Sequence, residues 1–573
     1  MTAAAKSDFQ WFKQGDINGF FALMIDNLAV LAFLSGTLVA AFGFPADIIF
    51  TKMFPGTAIG VLFGDFVYSW MAYKLYQKTG NKNITAMPLG LDTPSTIGIG
   101  LVVLGPVFLQ AQKDGMNIND AAHMSWYVGM ATMVLTGIFK GIMAFFSEKI
   151  RQIVPQAGLL GSLAGIGIGL LGFGPLLEIF SYPVIGLIAF GLVLYNLIAK
   201  IRLPKQMSGL IVAIIAGTII YHINGAFFHF GENVLTYKQI EPFNIKGIAF
   251  PLPTLDFIKG FMPALQYLPI SIPFAILTVI GGINSTESAK AAGDDFDTRN
   301  IILTEAAATL VAGLFGGVAQ TTPYIGHPAY KKMGAGAGYT ILTGLFIGFC
   351  GIFGIISFFF SLIPMAVLAP ILLFVAIEII AEAFVVCPKK HAPAVALALF
   401  PTVARLLAIK YGIMVEGLYE TITATEKTIH SHALPEPLTI IALGNGFIVT
   451  AMLWGGMLAE MIDGKIKKAS MYCIVLAALA FFGIIHSADP NGNMYLPWTI
   501  EPMWMSLAFQ YTAGYIVMGL MIYMLSFTKE AKEFSRNTLA TEGISEAEDN
   551  VNPPSESSDE EQKQTENPDN NQK

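Results

Sequence analysis

Charged residues and cysteines are scarce in this sequence. Asp, Glu, Lys and Arg together make up 13% of the 573 residues, while 54% of the residues are hydrophobic. Because soluble globular chains carry roughly 25% charged residues, this composition excludes an ordinary soluble protein. The three cysteines, Cys350, Cys387 and Cys473, each lie in or beside an apolar segment. Their number and spacing exclude a disulfide framework and a cysteine-based metal site.

The N-terminal segment lacks the features of a secretory signal peptide. It has no short apolar core followed by a small-residue cleavage site. We therefore expect a cytoplasmic leader, with the first apolar segment acting as an uncleaved anchor.

The sequence does contain a long series of apolar segments. About 20 apolar residues suffice to cross a hydrocarbon core of roughly 30 Å. On that basis we predict an all-α polytopic membrane protein with about sixteen crossings, built as two seven-span repeats plus two additional C-terminal spans. The predicted parts are the leader (1–17), the first repeat (18–223), an extracytoplasmic loop (224–263), the second repeat (264–461), the two extra spans (462–528) and a disordered acidic cytoplasmic tail (529–573).

Lysine and arginine alternate between successive loops. Starting from a cytoplasmic N-terminus, the inside loops hold most of them, including Lys74, Lys78, Lys149, Arg151 and Lys389. This alternation agrees with the positive-inside rule. We predict an integral protein of the cell membrane (inner or plasma membrane) with both termini cytoplasmic.

Two spans are interrupted by proline in the same way. Asp92 and Thr93 stand directly before Pro94, and His327 stands directly before Pro328. A polar residue followed by proline is typical of a helix start. Non-helical backbone at membrane depth is tolerated only where it is buried in protein or lines a cavity. The alternative is that both prolines mark re-entrant turns of purely structural use.

The interrupted spans occupy equivalent places, each being the third span of its repeat. An odd number of spans per repeat requires that the two copies be inverted, which is the plan of many secondary transporters. We predict that the solute binds near the midplane between the two helix starts, where free backbone N–H groups favour an anion or a carbonyl-rich ring.

Ionisable and polar side chains are unusually frequent in and around these spans. Because burial shifts the charge state of such groups, we expect the coupling group for H⁺ or Na⁺ to be among Asp26, Glu287 and His327. For Glu287, a solvated glutamate paired with Lys290 is the alternative. The predicted solute-binding residues are Asp92, Thr93, Asn284, Glu287, Gln320, Thr321, Thr322, Tyr324 and His327.

Three segments resemble the nucleobase–cation symporter-2 family of xanthine, uracil and ascorbate permeases, particularly its purine-permease-like branch. They are PLGLDT at 88–93, VAGLFGGVAQTTPYIG at 311–326, and the stretch from ALFPTVA to GNGFIVTAMLWGGMLAE at 398–460. The resemblance implies inverted repeats divided into core and gate domains, a homodimer, and ion-coupled uptake of a nucleobase. It also implies binding roles for Asp92, Gln320, Thr321, Thr322 and Tyr324. The chain departs from the family at Gly281 and Gly282, where a carboxylate is common.

The leading hypothesis is therefore a proton-coupled nucleobase symporter working by alternating access. An organic or inorganic anion permease of the related sulfate-transporter fold is the alternative. An intramembrane enzyme is disfavoured because no HExxH, GxSxG or cysteine–histidine signature is present. A non-transporting receptor or scaffold is disfavoured by polar residues in both repeats. We expect no cofactor, no metal and no nucleic-acid partner; the expected partners are the solute, H⁺ or Na⁺ and the lipid bilayer.

Overall fold

A computed structural model describes residues 9–146, 155–201, 203–204, 209–228, 249–324, 326–423, 435–487, 489, 492–500 and 502–538. Parts of the predicted leader, of the 224–263 loop and of the acidic tail lie outside these residues.

The first half of the chain is a series of helices with one short strand. The strand β1 (Leu89–Leu91) directly precedes the third helix. The helices are α1 (Gly15–Phe42), α2 (Ala46–Thr79), α3 (Thr93–Lys113), α4 (Ile118–Met143), α5 (Gln156–Ser181), α6 (Pro183–Ile198) and α7 (Gly209–Phe227).

The second half repeats the pattern, including a short strand, β2 (Thr321–Pro323), before a short helix. The helices are α8 (Phe257–Leu265), α9 (Leu268–Ala291), α10 (Thr298–Leu314), α11 (His327–Lys332), α12 (Gly338–Ile352), α13 (Ile355–Leu362), α14 (Met365–Val386), α15 (Ala392–Thr423), α16 (Pro435–Gly444), α17 (Phe447–Ile462), α18 (Ile466–Phe481) and α19 (Pro502–Leu525).

Ten helices among the described residues are long and apolar enough to cross a membrane, and three more are apolar but shorter. The chain is a polytopic integral membrane protein, and its described residues are mostly helical, as predicted. The count of about sixteen crossings and the side on which each terminus lies stay predictions.

Local sequence explains where the critical helices begin. Asp92 caps α3: its carboxylate accepts a hydrogen bond from the Ser95 N–H, and Pro94 follows in the first turn. Asp297 caps α10 in the same way through the Asn300 N–H. Both caps satisfy N–H groups that a helix start leaves without an intrahelical partner. The helix start predicted at Asp92–Pro94 is confirmed.

The helices form two packed groups. In the core group, α4 and α2 pack on α10, α1 and α2 pack on α12, and α3, α8 and α9 pack on α4. In the gate group, α5, α15 and α17 pack on one another, α14 packs on α5, and α6 packs on α7. The helices α18 and α19 pack on each other and, through α18, on α17. We use the names core and gate for these two groups, and the domain bounds given above stay predictions.

The two strands demonstrate the inversion of the repeats. β1 pairs with β2 in antiparallel register, with Leu89 opposite Pro323, Gly90 opposite Thr322 and Leu91 opposite Thr321. Equivalent elements of the two repeats therefore run in opposite directions. The fold is of the inverted-repeat type.

The end of the C-terminal pair differs from the prediction. Residues 529–538, assigned to the disordered tail, are helical. The Ser535 hydroxyl donates to the Gly464 carbonyl oxygen at 2.7 Å, which fastens this helix to the turn between α17 and α18. The remainder of the predicted tail, from residue 539, lies outside the described residues.

Candidate functional site

The site is built around the β1–β2 pair. Two further backbone bonds lengthen the ladder, because the Asp92 N–H donates to the Gln320 carbonyl and the Tyr324 N–H donates to the Pro88 carbonyl. The pair thus spans 88–92 on one side and 320–324 on the other. A two-stranded ladder leaves one edge of each strand without backbone partners, and no water is present at membrane depth to satisfy them.

Side chains from neighbouring helices satisfy the outer edge of β1. The Asn27 side chain on α1 accepts from the Leu91 N–H at 2.9 Å and donates to the Leu23 carbonyl at 2.8 Å. The carboxylate of Asp65 on α2 faces the Leu89 N–H, but neither of its oxygens forms a hydrogen bond with the described residues. Asn27 and Asp65 are both fully buried, so they support the strand from within the protein.

The outer edge of β2 is satisfied by α4, α9 and α10. The Lys140 ammonium donates to the Thr321 carbonyl at 3.0 Å, and the Ser285 hydroxyl donates to the Pro323 carbonyl at 3.2 Å. Lys140 also forms an ion pair with Glu305 at 2.6 Å, and neither side chain is exposed. The ion pair neutralises a charge that the membrane interior would otherwise penalise heavily. Sequence reasoning missed both residues.

One face of the strand pair carries the candidate binding groups. Side chains alternate across a strand, so Gln320, Thr322 and Tyr324 share a face, while Thr321 points the other way toward Thr309. Gly90 lies opposite Thr322, and a Cβ placed on it would be 3.5 Å from the Tyr324 ring. The missing side chain at Gly90 leaves this face open.

Two carboxyl groups border this face. Asp26 on α1 faces the Tyr324 hydroxyl, and its Oδ2 has no hydrogen-bond partner among the described residues. Asp92 faces the Gln320 amide and is half-buried, as are Thr322 and Tyr324. Gln320, in contrast, is fully buried. A ligand on this face would therefore meet Asp92, Thr322 and Tyr324 first, because Asp26 is buried.

The positions of the two helix starts bear on the solute site predicted between them. Helix α3 begins after one end of the strand ladder, and helix α11 begins after the other end. The ladder is four residue steps long, which is about 13 Å at roughly 3.3 Å per residue. At α3 the Ser95 and Thr96 N–H groups already bond to Asp92. The solute site expected between the two helix starts stays a prediction, to which the Ser95 and Thr96 N–H groups contribute no free donors.

His327 occupies a different environment from Asp26 and Asp92. Its Nε2 lies 3.1 Å from the Thr85 carbonyl oxygen and 3.3 Å from Asp294 Oδ2, and its ring is fully buried. Lys331 also reaches Asp294, at 2.7 Å. Burial alone would raise the pKa of Asp294, but the hydrogen bonds from His327 and Lys331 outweigh burial and hold that pKa below its usual value.

The remaining predicted site residues are scattered. Thr93 is buried in the first turn of α3, and Asn284 is half-buried on α9. Glu287 is exposed, one turn beyond Asn284, which places it outside the set that borders the strand pair. Among the described residues, no cluster of His, Cys, Asp and Glu is suited to a metal ion.

The glycine-rich segment that carried the family resemblance is a packing feature of this site. A Cβ at Gly313 would be 2.9 Å from Met133 on α4, and one at Gly317 would be 2.7 Å from the Thr57 backbone on α2. Gly316 adopts a φ of 101°, which L side chains rarely tolerate. These glycines bring α10 and β2 close to their neighbours, and they say nothing about the solute.

No protein-family model matches the chain, and no curated protein sequence matches it. Among solved structures, the transmembrane domain of a cyanobacterium bicarbonate transporter, BicA, is 17% identical over 69% of this chain and 96% of its own, with a TM-score of 0.49. The anion transporter Slc26a9, in its murine inward-facing structure, is 13% identical over 73% of this chain and 69% of its own, with a TM-score of 0.47. A second structure, of SLC26A9, is 12% identical over 73% of this chain and 66% of its own, with a TM-score of 0.47.

These matches correct the family prediction. Membership of the nucleobase–cation symporter-2 family, and with it a purine, xanthine or uracil solute, is contradicted, because the similar structures are those of bicarbonate and anion transporters. The physical reason is that two of the three shared segments, at 88–93 and 311–326, lie in the strand pair and the glycine packing around it, while the third, at 398–460, lies on α15 to α17. Those features build a fold that different solutes can use.

Proposed function

We propose that this protein is a secondary active transporter that moves a small anion by alternating access, coupled to H⁺ or Na⁺. One observation carries the proposal: two inverted, interrupted spans pair as strands, and two carboxyl groups border their open face. Irregular backbone at membrane depth is the usual setting for a solute site in inverted-repeat transporters.

The electrostatics of this face supply the reason for coupling. Asp26 and Asp92 are both acidic, and Lys140, the cation bonded to β2, is already paired with Glu305. An anion could not stay beside two charged carboxylates unless a proton or a cation neutralised at least part of that charge. Binding of the anion and of the cation is then mutually favourable, because coupling between two ligands is reciprocal.

Asp26 is the coupling group that the geometry favours among the three predicted. It is buried within α1, it faces a site hydroxyl and it keeps one carboxylate oxygen without a partner in the described part of the chain. Glu287 is exposed, and His327 is engaged with Thr85 and Asp294. The contacts between core and gate, where α14 packs on α1 and α17 packs on α9, are the surfaces that alternating access would separate.

The test is uptake of radiolabelled chloride, bicarbonate and sulfate into proteoliposomes under an inward H⁺ or Na⁺ gradient. We expect the native protein to accumulate at least one of these anions only when a gradient is present. Asp26→Asn should abolish accumulation while retaining exchange of preloaded anion, because exchange requires no net movement of the coupling ion. Glu287→Gln serves as the matched control and should accumulate the anion normally.

Two results would reject the proposal. One is native protein that takes up none of the anions under either gradient. The other is an Asp26→Asn variant that concentrates the anion as well as the native protein does, which would remove Asp26 from the coupling mechanism.

A further inference from the structure

We infer that Arg405 and Asn445 form a second anion-binding site, distant from the strand pair, where the solute binds between core and gate on its way to or from the first site. The inference rests on the proposed function in one respect, namely that the solute is an anion. The chemical class that the site fits is a small planar or tetrahedral oxyanion.

Arg405 is a cation at membrane depth without a carboxylate counterpart among the described residues. It lies within the Lys389–Lys410 span, on α15. Its Nη1 donates to Asn445 Oδ1 at 3.3 Å, and its buried Nε has no hydrogen-bond partner in the described residues. The titratable group that faces it within the described chain is the Tyr267 hydroxyl, not a carboxylate.

This arrangement contrasts with Lys140, the buried cation that Glu305 neutralises. An ionisable side chain inside a membrane span is costly and normally marks a partner or a pathway. The guanidinium group presents donors in a planar fork that matches the oxygens of carboxylates and similar anions. An arriving oxyanion would supply the partner that the described residues do not.

The cavity around Arg405 joins both domains. The core contributes Gln266 and Tyr267, before and at the start of α9, and Val102 on α3; the gate contributes Arg405 and Asn445. Val102 lies nine residues after the start of α3, or roughly 14 Å along the helix, so this cavity is separate from the strand pair. Its free space is about 40 Å³, close to the volume of a single water. An oxyanion would enter only when core and gate move apart.

The additional C-terminal pair gives Asn445 its orientation. Asn445 occupies the break between α16 and α17, and its Nδ2 donates to the Ser487 carbonyl at 3.1 Å. Its backbone carbonyl accepts from the His486 N–H at 3.0 Å. Because Nδ2 is directed toward the connection between α18 and α19, Oδ1 is the amide atom left to face Arg405. The connection thereby holds the arginine in place.

The connection is itself anchored to the gate. His486 Nε2 lies 2.7 Å from the Tyr515 hydroxyl, which also accepts from the Trp454 indole N–H at 3.0 Å. Tyr515 is on α19 and Trp454 is on α17. This chain of contacts assigns a role to two spans for which sequence reasoning provided no function.

The experiment measures anion binding at this site without relying on transport. Asn493, in the connection, lines the same cavity and is half-buried. In an Asn493→Cys protein, an anion bound in the cavity should slow the reaction of the introduced thiol with a membrane-impermeant maleimide. The slowing is measured with bicarbonate, with sulfate and with chloride. The native cysteines, Cys350, Cys387 and Cys473, are all buried, so background labelling should be low.

We expect bicarbonate or sulfate to protect the introduced thiol of the Asn493→Cys protein in a saturable manner. Arg405→Gln in the same background should raise the half-protecting concentration by about tenfold or more, the loss expected for a charge-assisted hydrogen bond. Arg405→Lys, which retains the charge but not the planar fork, should give an intermediate value. Lys410→Gln, an exposed cation on the same helix, is the control and should not change protection.

The outcomes separate this inference from the proposed function. Protection without uptake of any anion would support this site and reject the transport proposal. Two results would overturn the site while leaving anion uptake intact. One is equal protection of the Asn493→Cys thiol with and without Arg405→Gln, and the other is no protection of that thiol at all. If Arg405→Gln lowers the thermal stability of the purified protein, Arg405→Lys is compared instead. Equal protection of the Asn493→Cys thiol with Arg405 and with Arg405→Lys would contradict a role for the planar guanidinium group.

Discussion

At the scale of single residues, the polar groups that matter most are those that replace water around the strand pair. Asn27, Ser285 and Lys140 each bond a backbone group of β1 or β2 that has no backbone partner. Each such group, left unsatisfied at this depth, would cost about 1 to 3 kcal/mol. Lys140 is the extreme case, since its charge needs Glu305 as well.

The Lys140–Glu305 pair provides a prediction about stability. Lys140→Met alone should destabilise the protein by about 3 to 5 kcal/mol, because it leaves a buried carboxylate without its partner. Lys140→Met combined with Glu305→Leu should recover much of that loss, although the Thr321 carbonyl then lacks a donor. Thermal unfolding of the purified protein in detergent measures both, as a double-mutant cycle.

The exposed pair Lys259–Asp256 is the control for this cycle. Its side chains are 60% and 31% exposed, so Lys259→Met should cost no more than about 1 kcal/mol. A Lys140→Met variant that is no less stable than Lys259→Met would show that the buried pair is not required for the strand support described above.

At the scale of elements, the interrupted third span of the first repeat depends on close packing against the first helix of the second. α3 approaches α9 at Gly98, where an added Cβ would be 2.3 Å from the ring of Phe274. Phe274 is itself buried at 1% exposure, so it has little room to move. This contact, together with the strand pairing, holds the two repeats against each other.

Gly98→Ala should therefore destabilise the protein by about 1 to 3 kcal/mol, the usual cost of forcing extra volume into a packed interior. Gly191→Ala on α6 is the matched control, because nothing lies within 4 Å of its added methyl group. That substitution should be neutral or stabilising by up to about 1 kcal/mol. Thermal unfolding distinguishes the two, and equal melting temperatures would contradict the tight contact between α3 and α9.

At the scale of the whole molecule, antiparallel pairing of equivalent strands means that the interrupted span of the first repeat has an oppositely directed counterpart in the second. Inversion relates the two repeats to each other, but it does not say which side of the membrane is cytoplasmic. That assignment depends on the distribution of lysine and arginine between loops.

We predict that the thiol of an Asn493→Cys variant reacts with an impermeant maleimide in intact cells, whereas that of a Lys82→Cys variant reacts only after permeabilisation. Lys82 is exposed at the end of the core near β1 and lies in a loop predicted to be cytoplasmic. The native cysteines are buried and serve as the unlabelled background. The reverse pattern of labelling would invert the predicted topology while leaving the fold unchanged.

The sequence by itself determined the class of protein and the two interruptions marked by Pro94 and Pro328, but not the break at Asn445. These properties follow from local chemistry: apolar length, the Asp-Thr-Pro order at Asp92–Pro94, and the scarcity of charge. The cap on α3 and the non-helical stretches before Pro94 and Pro328 could be predicted because a cap bonds to residues within its own turn.

Only the tertiary structure decided which polar residues work together. Lys140 and Glu305 are 165 positions apart, and each stands alone in an apolar segment, so no local pattern links them. Glu287 and Asp26 both interrupt apolar sequence, yet one is exposed and the other is buried against Tyr324. The separation of the two helix starts depends on a register between strands more than 200 residues apart. Such pairings are set by packing across the fold, because a hydrogen bond at membrane depth needs its partner nearby in space, wherever that partner lies in the chain.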